Sequence, residues 1–386
     1  MSKIPLQRKT EEKPNMPVRV DDKGMLDVPF LVLILLLVSI GLLMMFSASY
    51  ARAYYKTGDS VYYFVRQAGF AAFGLVAMYF ASRIDCHIWQ RLAKLIYAVT
   101  ILLLIGVLVM GESSHGAKRW IKIAGQQFQP SEIAKFSIVC MFSAMVAQYK
   151  EKMAEFRYGV LAFVGILLPI LLLVALEKHL SAIMILGLVS VIMMFTGGTK
   201  KRWLLLGIGA ALVFLVIYIT VMGYAGDRVT AWLDPEKDAG DTGYQIVQSQ
   251  YAIGSGGLFG LGFGKGRQKY LYLPEEHNDY IFAIVCEELG FVGALGIIIL
   301  FALLIIRGYW IALHAPDRFS TMLAMGLTTL LAVQVILNIG VVSNLLPSTG
   351  VALPFFSYGG TTLLMNLGEM GIILSISRWS SSAKTQ

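Results

Sequence analysis

Ten apolar runs punctuate this chain, and their recurrence restricts the fold more than any other feature. They lie near 28–48, 62–82, 90–110, 131–148, 158–176, 181–197, 203–222, 280–307, 320–346 and 360–378. A helix needs about 20 residues to cross a bilayer. The sixth run is short for that, and the eighth is long enough to tilt. Only 15% of the residues are charged, where a soluble domain carries about 25%. The expected fold is an all-α integral membrane protein of about ten transmembrane helices, forming one domain over 28–378. Residues 1–27, polar and containing Pro5, Pro14 and Pro17, are expected to be a disordered cytoplasmic tail, and 379–386 a short cytoplasmic C-terminal tail.

The net charge of +8 does not point to nucleic acid, because the cations are not gathered on one face. They sit in clusters between runs: Lys150, Lys152 and Arg157; Lys200, Lys201 and Arg202; Arg307 and Arg318. This is the positive-inside pattern. With the N-terminal tail inside, an even number of spans returns Arg378 and Lys384 to the same side. Connections near 49–61, 111–130, 177–180, 223–279 and 347–359 then face outward. Lys118, Arg119 and Lys122 break the rule on that outer side, which marks them as functional. The first run reads as a retained span, since its leader and apolar length both exceed those of a cleaved signal. Cys86, Cys140 and Cys286 belong to separate spans without metal-type spacing, so neither a disulfide nor a zinc site is expected.

The long outer connection between the seventh and eighth spans has the length of a functional loop. Its Trp232, Tyr244, Tyr251, Phe259, Phe263, Tyr270 and Tyr272 are expected to dock on the helices. Within it, GYQIVQSQYAIGSGG (243–257) reads as an amphipathic helix closed by glycine, with Ile246, Tyr251 and Ile253 toward one face. The stretch GSGGLFGLGFGKG (254–266) lacks the strand and helix of a dinucleotide fingerprint. It is not a Walker loop either, because Gly266 follows Lys265. Two readings stay open: a backbone turning near the membrane surface, or bare N–H groups approaching a ligand's phosphates, with Lys265, Arg267 and Lys269 beside them.

Chemistry concentrates in LPEEHNDYIFAIVCEELGF (273–291). Glu275, Glu276, His277 and Asp279 crowd its start. Asp279 or Asn278 could simply cap a helix, yet capping needs one acceptor and the stretch offers three carboxylates and a histidine. Glu287 and Glu288 follow about 12–14 Å deeper at 1.5 Å per residue, a depth that requires a cavity or a cationic partner. In HGAKRWIKIAGQQFQPSEIAK (115–135), Trp120, Ile121, Ile123 and Phe128 suit the membrane interface while Lys118, Arg119 and Lys122 offer cations there. Pro130 opens the fourth span, Glu132 suits its first turn, and Lys135 lies three residues on, where the two can pair. The uncharged LLPSTGVALPFFSYGGTTLL (345–364) reads as irregular backbone walling the same cavity, with Ser357 and Tyr358 as its polar points. Cations beside a poised carboxylate suit a substrate with an anionic leaving group and a hydroxyl to be deprotonated, and phosphoryl-linked sugars on lipid carriers fit. A flippase for such lipids and a non-catalytic scaffold are the alternatives.

Five segments in order, GAKRWI (116–121), FQPSEIAK (128–135), GYQIVQSQYAIGSGG (243–257), LPEEHNDYIFAIVCEELG (273–290) and LPFFSYGG (353–360), resemble the SEDS family (shape, elongation, division and sporulation). The resemblance covers nearly all of the chain from residue 28. It implies a ten-helix peptidoglycan glycosyltransferase of the bacterial cytoplasmic membrane, with both termini cytoplasmic and the active site on the outer face. It further implies polymerisation of lipid II with release of undecaprenyl pyrophosphate, and partnership with a class B penicillin-binding protein transpeptidase and other division proteins. The family's Pro-Glu-x-His-Thr-Asp-Phe motif reads Pro274-Glu275-Glu276-His277-Asn278-Asp279-Tyr280 here, which places the catalytic acid at Asp279. Lys118, Arg119, Glu132, Lys135, Gln248, Lys265, Glu275, His277 and Ser357 are then expected as substrate-binding or supporting residues, with a divalent cation (Mg or Mn) as the candidate cofactor. One departure is large: EKHLSA (177–182) puts Lys178 and His179 where the family commonly has Pro and Asp. LLMNLGEMGIILSISR (363–378) and GESSHGAKRW (111–120) favour a division or sporulation type over an elongation type.

Overall fold

The computed structural model describes residues 24–114, 117–123, 126–209, 224–237 and 242–382. Helices α1 (Val28–Thr57), α2 (Tyr62–Ala81), α3 (His87–Met110), α4 (Pro130–Tyr149), α5 (Ala162–Leu176) and α6 (Leu180–Thr196) come first. A helical stretch at 201–209, here α7, precedes α8 (Tyr224–Leu233), α9 (Thr242–Gly256), α10 (Ile281–Leu313), α11 (Arg318–Val342) and α12 (Gly360–Ser382). Seven of the described helical segments are long and apolar enough to cross a membrane, and α6 is a shorter apolar helix. The chain is a multi-pass membrane protein. Of the expected seventh span only 203–209 is described, and the rest lies outside the described residues, as do 1–23 and 383–386.

Burial sorts the helices into layers. The apolar windows of α4 and α11 are 83% buried, against 22–39% for α1, α2, α3, α5 and α10. The first pair therefore forms the centre, and the others turn one side to lipid. Around them α12 packs along α2, α10 along α11, and α3 along α4. The ends are set locally. Asp27 caps α1 by accepting from the Phe30 amide (3.0 Å), a bond worth about 1 kcal/mol, and also takes the Arg307 guanidinium (2.8 Å). Gly24 donates to the Arg378 carbonyl. Residues 24–27 thus belong to the folded domain rather than to a disordered tail, and α12 continues to Ser382, past the expected boundary at 378.

Two features depart from an all-helical plan. The third connection forms a three-stranded antiparallel sheet, β1 (Glu112–Ser114), β2 (Ala117–Ile123) and β3 (Gln126–Phe128), with Ser113 opposite Lys118 and Ile121 opposite Phe128. Trp120, Ile121 and Ile123 give AKRWIKI the aromatic and β-branched content that suits a strand. The second departure lies in α10, which breaks at Gly290 (φ 68). There the chain around 257–262 lends its backbone: Phe291 and Val292 donate to the Gly257 and Leu258 carbonyls (2.9 and 3.1 Å), while Leu261 and Gly262 donate to the Glu287 and Glu288 carbonyls (3.0 Å each). Within a bilayer such groups must be satisfied by protein. A Cβ on Gly260 would lie 2.2 Å from the Glu288 carbonyl oxygen, so glycine is what permits the approach. The glycine-rich stretch is a splice into a broken helix.

The expected docking of the loop aromatics holds only in part. Trp232 donates to the Asn344 carbonyl (3.1 Å), but Tyr251, Phe259, Phe263, Tyr270 and Tyr272 are exposed. On α9 the buried face runs through Ile246, Ser249 and Ala252, with Tyr251 outside it.

Candidate active site

Several connections between helices converge on the turn before α10. Asp279 does not cap that helix: the N-cap position is Tyr280, and no side chain caps it. The turn is held instead by neighbours. Glu276, fully buried, takes a bidentate pair from Arg52 of α1 (2.6 Å to each oxygen). Burial pushes its carboxyl up, and His277 and Arg52 more than reverse that, leaving it below the usual range. His277 is buried beside the Tyr63 ring (4.9 Å between centroids), which also meets Tyr358 (5.1 Å). The Glu275 carboxylate accepts from the Asn278 amide. Asn338 of α11 donates to the carbonyls of Asp279 (2.8 Å) and Val351 (2.7 Å), tying the turn to the irregular connection between α11 and α12.

That connection supplies the wall under the carboxylate. Gly350 has φ +72, and a Cβ there would come 3.0 Å from Asp279 Oδ2 and 4.0 Å from Ser181 Oγ. The Ser181 hydroxyl donates to the Thr349 carbonyl. So the start of α6, Gly350 and Asp279 meet at one point. Two cations attend it: Arg228 of α8 donates to the Ser348 carbonyl (3.0 Å), and Arg119 of β2 donates to the Lys178 carbonyl. Half-buried Asp279 has its carboxyl pushed up to about 6, by burial first and the Glu275 charge second, while Arg228, Arg119 and His277 pull the other way. An acid so placed is a carboxylate at neutral pH and still basic enough to accept a proton.

The remaining expected residues divide. Glu132 and Lys135 pair at 2.8 Å, both buried on α4. Lys118 and Arg119 separate, because neighbours on a strand face opposite ways: Arg119 meets the Lys178 carbonyl, whereas exposed Lys118 leans toward the Leu108 carbonyl (3.5 Å). The Ser357 hydroxyl is not a polar point of a cavity. It accepts from the Leu353 amide (2.7 Å) and donates to the Asn278 carbonyl (2.8 Å). Gln248 is half-buried on α9, and among the described residues it has no hydrogen bond to the Asp279 group. Lys265 is exposed on the glycine-rich loop. That loop's amides serve protein acids rather than phosphates: Gly264 and Gly266 donate to Glu288 (2.9 and 3.3 Å), and Arg267 and Gln268 to Glu287 (2.7 and 3.2 Å). Lys269 (2.7 Å) and Ser47 (2.8 Å) complete the shell of Glu288.

Sequence reasoning missed Arg228, whose only signal was a cation in the long outer loop. It also gave no role to Glu177. The groups around Asp279 do not suit a divalent cation, because Arg119 and Arg228 already bring positive charge there. Among the described residues, metal-ligand types gather within 4.8 Å in Asp85, Cys86 and His87, a group that sequence spacing did not suggest. It lies at the start of α3, the opposite end of that helix from the sheet, and His87 there already meets Asp85 (2.8 Å) and Asp317 (3.3 Å). All three cysteines are free and buried.

A family profile described as "Cell cycle protein" and built on FtsW, RodA and SpoVE matches residues 28–382. The chain belongs to the FtsW/RodA/SpoVE family. Stage V sporulation protein E of Bacillus subtilis (strain 168) is 37% identical over 357 residues, covering 92% of this chain and 97% of the relative. A probable peptidoglycan glycosyltransferase FtsW of Geobacter metallireducens is 39% identical over 354 residues, covering 91% and 94%. Among solved structures, a chain of a peptidoglycan synthase complex that coordinates polymerisation and crosslinking superposes with a TM-score of 0.77 at 27% identity, covering 92% of this chain and 98% of that one. In this member of the FtsW/RodA/SpoVE family the matched region thus includes every element that contributes to the Asp279 site.

Proposed function

We propose that this chain is a peptidoglycan glycosyltransferase that polymerises lipid II with release of undecaprenyl pyrophosphate, acting in septal wall synthesis. Family membership supports the reaction class, and relatives named FtsW and SpoVE support a division or sporulation setting. The observation that carries the chemistry is Asp279, uncapped and half-buried, with Arg119 and Arg228 as its opposing charges. Asp279 takes the proton of the acceptor sugar's 4-hydroxyl, and that oxygen attacks the donor's anomeric carbon. The bond to the α-linked pyrophosphate breaks as the β-glycosidic bond forms, so the anomer inverts. The leaving group departs with its electron pair as an anion, which Arg119 and Arg228 stabilise, and Asp279 then passes its proton to water. The Glu132–Lys135 pair supports the cationic side, while Glu275, Glu276 and His277 hold the turn.

The site faces outward from the bacterial cytoplasmic membrane, with both termini inside, following the cation clusters of the inner connections. A class B penicillin-binding protein is the crosslinking partner, in keeping with the coordinated activities of the similar synthase complex. The test uses purified protein with lipid II and that partner, following glycan chain length. Wild type extends glycan and Asp279→Asn does not. Translocation of lipid II in vesicles without any polymer would replace this reading with a flippase.

A further inference from the structure

The departure at 177–179 lies against the candidate site, and its polar atoms lack partners. Both carboxylate oxygens of Glu177 and Nδ1 of His179 are buried without a hydrogen bond, and so are Arg119 Nε and the Thr349 hydroxyl. Glu177 is 1% exposed and His179 7%. Buried polar groups are almost always bonded, and leaving one unpaired destabilises the fold. Four such residues in one place are best explained by a polar ligand that completes them. Their placement is common: Arg119, which bonds the Lys178 carbonyl, is an electrostatic neighbour of Glu177, His179 and Asp279 alike. Ser181, two residues after His179, bonds the Thr349 carbonyl and reaches Gly350, on which Asp279 rests.

We propose that Glu177 and His179, with the Thr349 hydroxyl, form a subsite that hydrogen-bonds the hydroxyl and acetamido groups of a substrate sugar beside Asp279. The subsite deepens the glycosyltransferase reading and rests on it. Uncharged sugar groups fit better than phosphate, because burial and the charges of Arg119, Lys135 and Arg228 hold the His179 imidazole well below its ordinary value, so it is neutral. Burial likewise pushes the Glu177 carboxyl up to about 8, against the pull of Arg119. The phosphates are left to the arginines.

The test measures binding to full-length protein in detergent with two probes: a fluorescent polyprenyl-pyrophosphoryl disaccharide and the same polyprenyl pyrophosphate without sugar. Expected for His179→Ala and Glu177→Ala is at least a tenfold weaker affinity for the sugar-bearing probe, with the sugarless probe held as by wild type. His179→Asn, which keeps one hydrogen-bonding atom near Nδ1, should recover most of the loss. In steady state the alanine variants should raise KM more than they lower kcat. Their melting temperatures should equal or exceed the wild-type value, since each removes an unpaired buried group; a purely structural role would lower them. Unchanged affinity for both probes in both alanine variants overturns the subsite and leaves the glycosyltransferase reading intact. Equal loss for both probes, or a lowered melting temperature that accounts for the loss, also overturns it. Wild-type protein that binds neither probe overturns both readings.

Discussion

Two groups of acids stand on or beside α10, and the structure treats them in opposite ways. Glu287 and Glu288 are saturated by four loop amides, the Lys269 ammonium and the Ser47 hydroxyl. Asp279, before the helix, has no cap to make, rests on a glycine and has Arg119 and Arg228 as its opposing charges. By sequence both were costly carboxylates in apolar surroundings. The difference is where partners come from. The deeper acids have exhausted theirs within the protein and act as a staple for the break at Gly290. Asp279 keeps its capacity for something that arrives.

Substitutions can break this contrast. The largest expected effect is Asp279→Asn, which should lower the polymerisation rate by about 10²–10⁴ or more, the usual contribution of a positioned base, with folding preserved; a measured chain-extension rate within a few-fold of wild type would remove the base from the scheme. Lys269→Met should act on the other group through stability. Breaking a buried ion pair by removing one partner costs about 3–5 kcal/mol, so a thermal shift of several degrees is expected, and an unaltered melting curve would show that the staple is dispensable. Gly350→Ala should be intermediate, because φ +72 and the 3.0 Å approach to Oδ2 force the carboxylate aside. Strain of this kind costs about 1–3 kcal/mol, and activity should fall more than melting temperature. Ser357→Ala should have the smallest effect, about 1–2 kcal/mol from two backbone hydrogen bonds, with KM unchanged.

Acidity sharpens the same contrast. Asp279 must be a carboxylate to work, so the rate should decline as pH falls through about 6. Stability runs the other way. A carboxyl whose folded value is raised holds its proton more tightly than in the unfolded chain, so its contribution is lost as pH rises from the ordinary aspartate range toward about 6. Asp279→Asn should therefore abolish the acid limb of the rate profile while leaving the protein at least as stable at neutral pH. A wild-type profile flat between pH 5 and pH 7, an interval of about one unit on either side of that value, would contradict the assignment.

Much of this was legible from residues alone. Apolar runs of membrane length announce helices because lipid forces every backbone group to be satisfied within its own segment. Pairing of Glu132 with Lys135 follows from a spacing of three on one helix, and the observed 2.8 Å agrees. Failures came where partners are distant in sequence. Ser357, read as a polar point of the cavity wall, clamps Asn278; the glycine-rich loop, for which a surface turn and a phosphate cradle both stayed open, wraps Glu287 and Glu288. Arg228 stood out in no pattern, and strand alternation alone separated Lys118 from Arg119.

What the amino-acid order determined by itself, then, is the set of apolar helices, the cation asymmetry of the connections and the chemical identity of the acids, since periodicity, length and charge are local properties. Only the tertiary structure decided which acid is spent and which is available. That depends on hydrogen-bond partners brought from residues 19 to 241 positions away, and on whether their geometry leaves an acceptor satisfied or unpaired.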